Sequence, residues 1–245
     1  MTLLGVPLDP LTLDQAVERI RSFLKEPGFH HVVTPNSEML VEASGNPHFR
    51  SVLVSADLHL PDSIGLVKMA KRTGQYLPER VTGVDTVVRL LANLPSEHSV
   101  FLLGAAPDVA ELAAAKLREK NPQLRIVGTY SGSPSEADAP EILRRINAAD
   151  PQVLLVAFGA PAQDLWIDRY KADLHHVRVA MGVGGTFDFL AGRIKRAPHI
   201  FRSLGLEWLW RLIQEPRRIK RIRNAVVVFP LLVKKSNQKP KTSNQ

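Results

Sequence analysis

The stretch Arg178-Val-Ala-Met-Gly-Val-Gly-Gly-Thr-Phe-Asp-Phe-Leu-Ala-Gly192 passes through three kinds of chain in quick succession. Val177 to Met181 is a short apolar run that reads as a buried strand, Gly182-Val-Gly-Gly185 is a turn, and Thr186 to Leu190 resume with helical spacing. A strand that runs through glycines into a helix lets the backbone approach a ligand closely and aims free helix N–H groups at an anion. Gly182-Val-Gly184 begins like a dinucleotide fingerprint, but Phe187 stands where a third glycine belongs. The stretch fixes a βα unit. It leaves open whether the turn holds a phosphate or only joins two elements.

Two earlier segments end in the same way. Ser99 to Leu103 reads as a strand closing in Gly104-Ala-Ala-Pro107, and Gln152 to Ala157 as one closing in Phe158-Gly-Ala-Pro161. Between them lie a helix through Lys120, a strand over Leu124 to Val127, a loop from Gly128, and a helix from about Glu136 to Asn147. Such alternation predicts an α/β fold, a Rossmann-like and largely parallel sheet covered by helices on both faces, with right-handed crossovers. The three small-residue turns are expected to line one crevice at the carboxyl ends of the strands.

Toward the N-terminus, Thr2 to Val6 reads as an edge strand closed by Pro7. Thr12-Leu-Asp-Gln15 has the form of a capping box, with Leu13, Ala16, Val17, Ile20 and Leu24 following at helical spacing. His30 to Thr34 is a strand that Pro35 ends, and Asn36 is suited to cap the next helix. Asp57 to Leu60 is a short strand leading into Pro61-Asp62-Ser63. Asp62 either caps the following helix or is a carboxylate held at the sheet rim, where it could serve as a general base. Leu77 to Asp85 is a loop in which Arg80 either clamps a phosphate or pairs with an acid such as Glu79.

The 245 residues are 44% hydrophobic and 23% charged, as in a folded globular chain, and the absence of cysteine excludes disulfides and thiolate metal sites. The net charge of +8 is unevenly spread: residues 193–245 hold 14 Lys/Arg against Glu207 and Glu215, and the first 192 residues are slightly acidic. No secretory signal and no membrane-spanning run is read. A core over 1–195, a basic amphipathic appendage over 196–233 and a disordered tail over 234–245 are expected. In the appendage Ile219, Ile222, Val226 and Phe229 form one stripe among the basic residues, the pattern of a helix lying on an anionic membrane surface. The competing arrangement docks that stripe on the sheet domain.

Two other functions compete on sequence physics. A nucleotide-cofactor (NAD-type) oxidoreductase needs the third glycine and an acid for the ribose, and neither is clear. A nucleic-acid-binding protein would use Arg217 to Arg223, but no reading motif is present and the interleaved Ile and Val favour lipid, so no nucleic-acid partner is expected.

Thr34-Pro-Asn36, Pro61-Asp62, Pro78-Glu-Arg80-Val-Thr-Gly83, Phe158-Gly-Ala-Pro-Ala-Gln163, Gly182-Val-Gly-Gly-Thr-Phe-Asp188, Lys195-Arg-Ala-Pro198 and Gly205-Leu-Glu-Trp-Leu209 occur in this order. Together they resemble the WecG/TagA/CpsF family of bacterial glycosyltransferases, over about residues 4–223, and most of all its N-acetylmannosamine-transferring members in wall teichoic acid synthesis. The resemblance implies an inverting transfer from a UDP-sugar to polyprenyl-diphosphate-linked GlcNAc at the cytoplasmic membrane face. It implies Asp62 as the base, and Thr34, Asn36, Arg80 and Gln163 as substrate contacts. Gly184, Gly185 and Asp188 would lie along the nucleotide, and Arg211, Arg218 and Arg221 would complete the site from the appendage. No Asp-x-Asp triplet occurs, so neither a metal nor another cofactor is expected. The sequence leaves room for a homo-oligomer.

Overall fold

The computed structural model describes residues 1–194, 197–198, 201, 207–216 and 219–238, with the side chains of residues 207, 211 and 238 left aside. The expected N-terminal edge strand is instead a small antiparallel hairpin, β1 (Thr2–Leu3) with β2 (Val6–Pro7), separate from the main sheet. Leu4 and Gly5 both have positive φ, which turns the chain back within two residues.

The main sheet has six strands, all parallel: β3 (His30–Val33), β4 (Leu58–His59), β5 (Ser99–Gly104), β6 (Arg125–Tyr130), β7 (Val153–Ala157) and β8 (Val179–Gly182). Their order is β4-β3-β8-β7-β5-β6. Val32, Met181, Leu155 and Leu102 stand side by side across the middle of it. These strands read as continuous apolar runs because helices cover both faces.

On one face α1 (Leu13–Lys25), α5 (Gly83–Ala92), α6 (Val109–Lys120) and α9 (Thr186–Leu190) pack over Val32, Leu102, Leu155 and Met181. The capping box at Thr12 and Gln15 is formed in full at the start of α1. On the other face, α7 (Ala139–Ala149) and α8 (Ala162–Tyr170) cover one half. The second half is covered by α2 (Ser37–Gly45), α3 (Pro47–Ser55) and α4 (Ile64–Arg72), together with the hairpin. The chain leaves β3 toward this second face and leaves β8 toward the first. Their carboxyl ends therefore part, and a crevice opens between neighbours in the sheet.

Strand β6 runs on through Gly128, Thr129 and Tyr130, where a loop was expected. A Cβ on Gly128 would stand 2.5 Å from the Phe101 ring, so this glycine admits a neighbour's side chain rather than ending a strand.

Beyond α9, α10 (Glu207–Gln214) is followed by a continuous helical rod over 219–238. The rod consists of α11 (Ile219–Arg223), a π-helical segment (Asn224–Val228) and α12 (Phe229–Gln238). Phe229 and Val233 are buried in the same apolar cluster as Leu40, Leu66 and Phe49. The docked arrangement thus holds for the lower part of the stripe, whereas Ile219 and Val226 remain exposed. Helix continues through 234–238, part of the segment expected to be disordered, and 239–245 lie outside the described residues. Among the described residues no helix is long and apolar enough to cross a membrane.

Candidate active site

A cavity of about 520 Å³ lies at the carboxyl ends of β3, β4, β7 and β8, roofed by the C-terminal helices. Thr34 and Asn36 enter it from the end of β3. The buried Thr34 hydroxyl donates to the Gly182 carbonyl at 3.3 Å, tying the ends of β3 and β8 together. Asn36 does two things at once: its Oδ1 accepts the Met39 N–H at 3.0 Å as the cap of α2, and it lines the cavity.

Strand β4 is short, and side-chain bonds help to hold it. Asp9 accepts the His59 N–H at 2.8 Å, and the His59 ring nitrogen Nε2 donates to the Leu53 carbonyl at 2.7 Å. Burial pushes the Asp9 carboxyl up, but hydrogen bonds from the His59 side chain and backbone, and its charge, together hold it below the ordinary value of 3.8. Three residues past His59 stands Asp62, and the structure decides between its two readings. Ser63 caps α4, its hydroxyl accepting the Leu66 N–H, so Asp62 is left at the rim. Its Oδ2 accepts the Gly83 N–H at 3.1 Å, and its own N–H donates to the Pro35 carbonyl at 2.8 Å. Gly83 opens α5, and the positive end of a helix dipole favours a negative charge at that point.

Arg80 lines the cavity and is engaged in an interaction of its own, while Glu79 accepts the Leu13 N–H at the start of α1. Gln163, in the first turn of α8, is almost fully buried. Its Oε1 accepts from Gly159 N–H at 3.1 Å and from Gly184 N–H at 2.9 Å, stitching the β7 and β8 turns together. Gly184, with φ at +52°, and Gly185 line the cavity. A Cβ on Gly182 would meet Asp164 at 2.5 Å and Gln163 at 2.6 Å, so this glycine exists to admit α8.

Not every expectation converges here. The turn after β5 lies outside the lining: Gly104, with φ at +97°, packs against Ala157 and Phe158 instead, so two of the three turns share the crevice. Asp188 is half-buried on α9 and also outside the lining, because the cavity-facing side of that helix is Thr186 and Phe189. Phe187, in the place of the third fingerprint glycine, fills the core beneath α9. Arg221 does reach the wall, paired with Glu38 in the first turn of α2. The side chain of Arg211 and the whole of Arg218 lie outside the described residues, as do Lys195 and Gly205 of the later motifs.

Sequence reasoning missed Lys68, Arg72, Trp208 and Trp210, all in the wall. The first two carried a signal, since Ile64, Lys68 and Arg72 share one helical face at four-residue spacing. The described lining thus contains four cations, Lys68, Arg72, Arg80 and Arg221, and a single carboxylate, Asp62. Among the described residues no group of three or more His, Asp or Glu is placed to hold a metal ion.

Residues 1–243 match the model of the glycosyl transferase WecG/TagA/CpsF family. Among curated proteins, the chain is similar to the N-acetylglucosaminyldiphosphoundecaprenol N-acetyl-beta-D-mannosaminyltransferase of Bacillus spizizenii. The two are 37% identical over 192 residues, covering 78% of this chain and 74% of that protein. A parallel sheet with its cavity at the strand ends, and a family match over nearly its whole length, place this chain in the WecG/TagA/CpsF family of glycosyl transferases.

Proposed function

We propose that the chain transfers N-acetylmannosamine from UDP-N-acetylmannosamine to GlcNAc carried on undecaprenyl diphosphate. The transfer would invert the anomeric carbon without a metal, at the inner face of the bacterial plasma membrane, in wall teichoic acid or related polysaccharide synthesis. The observation that carries this reading is Asp62, the only carboxylate in the described lining of a cavity otherwise walled by cations and glycine turns.

In this reading the acceptor hydroxyl oxygen attacks the anomeric carbon from the face opposite UDP, and its proton passes to the Asp62 carboxylate. The bond from carbon to the UDP oxygen breaks, and its electron pair leaves with UDP. Inversion of an α-linked nucleotide sugar gives a β-linkage, which agrees with the β-mannosaminyl product in the relative's name. The charge developing on UDP needs stabilisation in a site shielded from water, and positioned guanidinium groups and backbone N–H donors can supply it. Arg80 and Arg221 are the guanidinium groups for that task, and the Gly185 N–H is a backbone donor in the β8 turn, where Gly184 N–H is held by Gln163. A surface contact with anionic lipid is supported by Ile219, Val226, Val227 and Leu231, exposed along the same C-terminal rod that carries Arg221 and Arg223.

The test is a transfer assay offering a panel of UDP-sugars and a GlcNAc-diphosphate-lipid acceptor, with and without EDTA. Transfer of N-acetylmannosamine, unaffected by EDTA and giving a β-linked product, is the expected result. Preference for another sugar overturns the donor assignment, and loss of activity in EDTA overturns metal independence.

A further inference from the structure

Two diphosphates meet in the proposed reaction. One departs with uridine and the other stays on the acceptor, and a single cavity has to keep them apart. We propose that Lys68 and Arg72 form a second anion subsite, on the part of the wall that α4 supplies, that takes the diphosphate of the lipid-linked acceptor. This assignment rests on the reading of the cavity given above.

Helix α4 begins two residues after Asp62, and Ile64, Lys68 and Arg72 line the cavity at successive turns. At 1.5 Å per residue, Lys68 and Arg72 stand about 6 Å and about 12 Å along the helix from Ile64. A sugar with its hydroxyl at Asp62 would present its anomeric phosphate to this stripe. The other described wall cations, Arg80 and Arg221, are those assigned above to UDP, and Arg221 is also paired with Glu38. Among the described residues Lys68 and Arg72 have neither a hydrogen-bond nor an ion-pair partner, and both are exposed in the cavity wall. Like charges four residues apart on a helix repel each other, a cost that a bound dianion would reverse. Arg72, in the last turn, also offsets the helix dipole. Lys68, in mid-helix, has no such reason to be there.

The lining also includes the apolar Met69, Val226 and Pro230, and α4 touches α12 of the C-terminal rod, which exposes Val227 and Leu231. One cavity thus brings together a carboxylate, a cation pair and apolar surface. Those are the surfaces that an acceptor's sugar, diphosphate and prenyl chain require.

The experiment compares the wild type with the double variant Lys68→Ala/Arg72→Ala and with the charge-keeping variant Lys68→Arg/Arg72→Lys. Alanine preserves helix propensity in α4. A water-soluble GlcNAc-diphosphate with a short alkyl chain serves as acceptor, without vesicles, and its binding is also titrated directly without donor. Losing two charged contacts is expected to weaken analogue binding and raise its KM about ten- to hundredfold. UDP affinity and co-sedimentation with anionic vesicles should stay as in the wild type, and the charge-keeping variant should recover most of the loss. Unchanged analogue binding overturns the proposal. So does a loss confined to UDP affinity, which would assign the pair to the donor, or one confined to vesicle binding, which would assign it to bilayer headgroups. If the wild type binds the analogue through this pair but transfers no sugar from any UDP donor, the donor reading fails and the subsite stands.

Discussion

Asp62 accepts one backbone N–H and faces the cavity, so replacing it by Asn keeps an acceptor for Gly83 and removes the proton-accepting charge. Turnover in Asp62→Asn is expected to fall about 10²–10⁴-fold, the usual contribution of a positioned base. Steady-state rates beside a calorimetric UDP titration check this: near-normal turnover rejects the base, and lost UDP binding means that the variant disturbed the donor site instead. Asp9 acts further back, by holding β4. Its folded-state carboxyl titrates below the ordinary 3.8, so its contribution to stability is present above that value and is lost as pH falls through the lower, folded one. Asp9→Asn should therefore unfold at a lower temperature than the wild type at neutral pH, with the gap closing below about pH 4. Melting curves across that range test the sign. Single residues with local jobs were legible in the sequence, such as the Thr12 box and the Asn36 cap. The choice between cap and rim for Asp62 was not, because it turned on Ser63 taking the cap and on Gly83, a partner 21 residues on at the start of α5.

At the scale of elements, the glycine turns divide by what a side chain would strike. Gly182→Ala forces a methyl between the buried Asp164 and Gln163, and overpacking of that kind costs about 1–3 kcal/mol. Because Gln163 holds both the Gly159 and Gly184 N–H groups, UDP affinity should fall along with stability. Urea unfolding and UDP titration of the same variant should move together, and a stable variant with normal UDP binding would refute the link. The alternation of strands and helices was legible, and so was the parallel sheet. Which turns meet was not: Gly104 and Gly184 look alike in sequence, and only the strand order puts β8 beside β3 and the β5 turn against Ala157. Likewise Gly128 carries no local mark that separates a loop glycine from one lying over a Phe101 ring.

For the whole molecule, the basic C-terminal segment reads in sequence as something apart, because its charge and its amphipathic stripe set it off from the slightly acidic body. Yet Phe229 and Val233 fill the cluster around Leu40, Leu66 and Phe49, and the same rod walls the cavity through Arg221, Ala225 and Pro230. Phe229→Ala should cost about 3–5 kcal/mol in urea unfolding, whereas Val227→Ala, at an exposed position on the same rod, should stay within about 0.5 kcal/mol. Equal effects would mean that the rod is not seated as described. The π-helical segment at Asn224–Val228 lies between the seated half and the half that bears Arg221. The wide turn takes up one extra residue, so the two halves keep nearly the phase that an unbroken α-helix would give them, like a slack link in a taut chain. Removing a single residue there restores ordinary winding and leaves the Arg221 half facing nearly the same way, with Phe229 still anchored. Length in this segment is therefore constrained in one direction: a one-residue deletion at the exposed Val227 should spare catalysis, whereas one further residue inserted there should swing the Arg221 half by about 100° and abolish it.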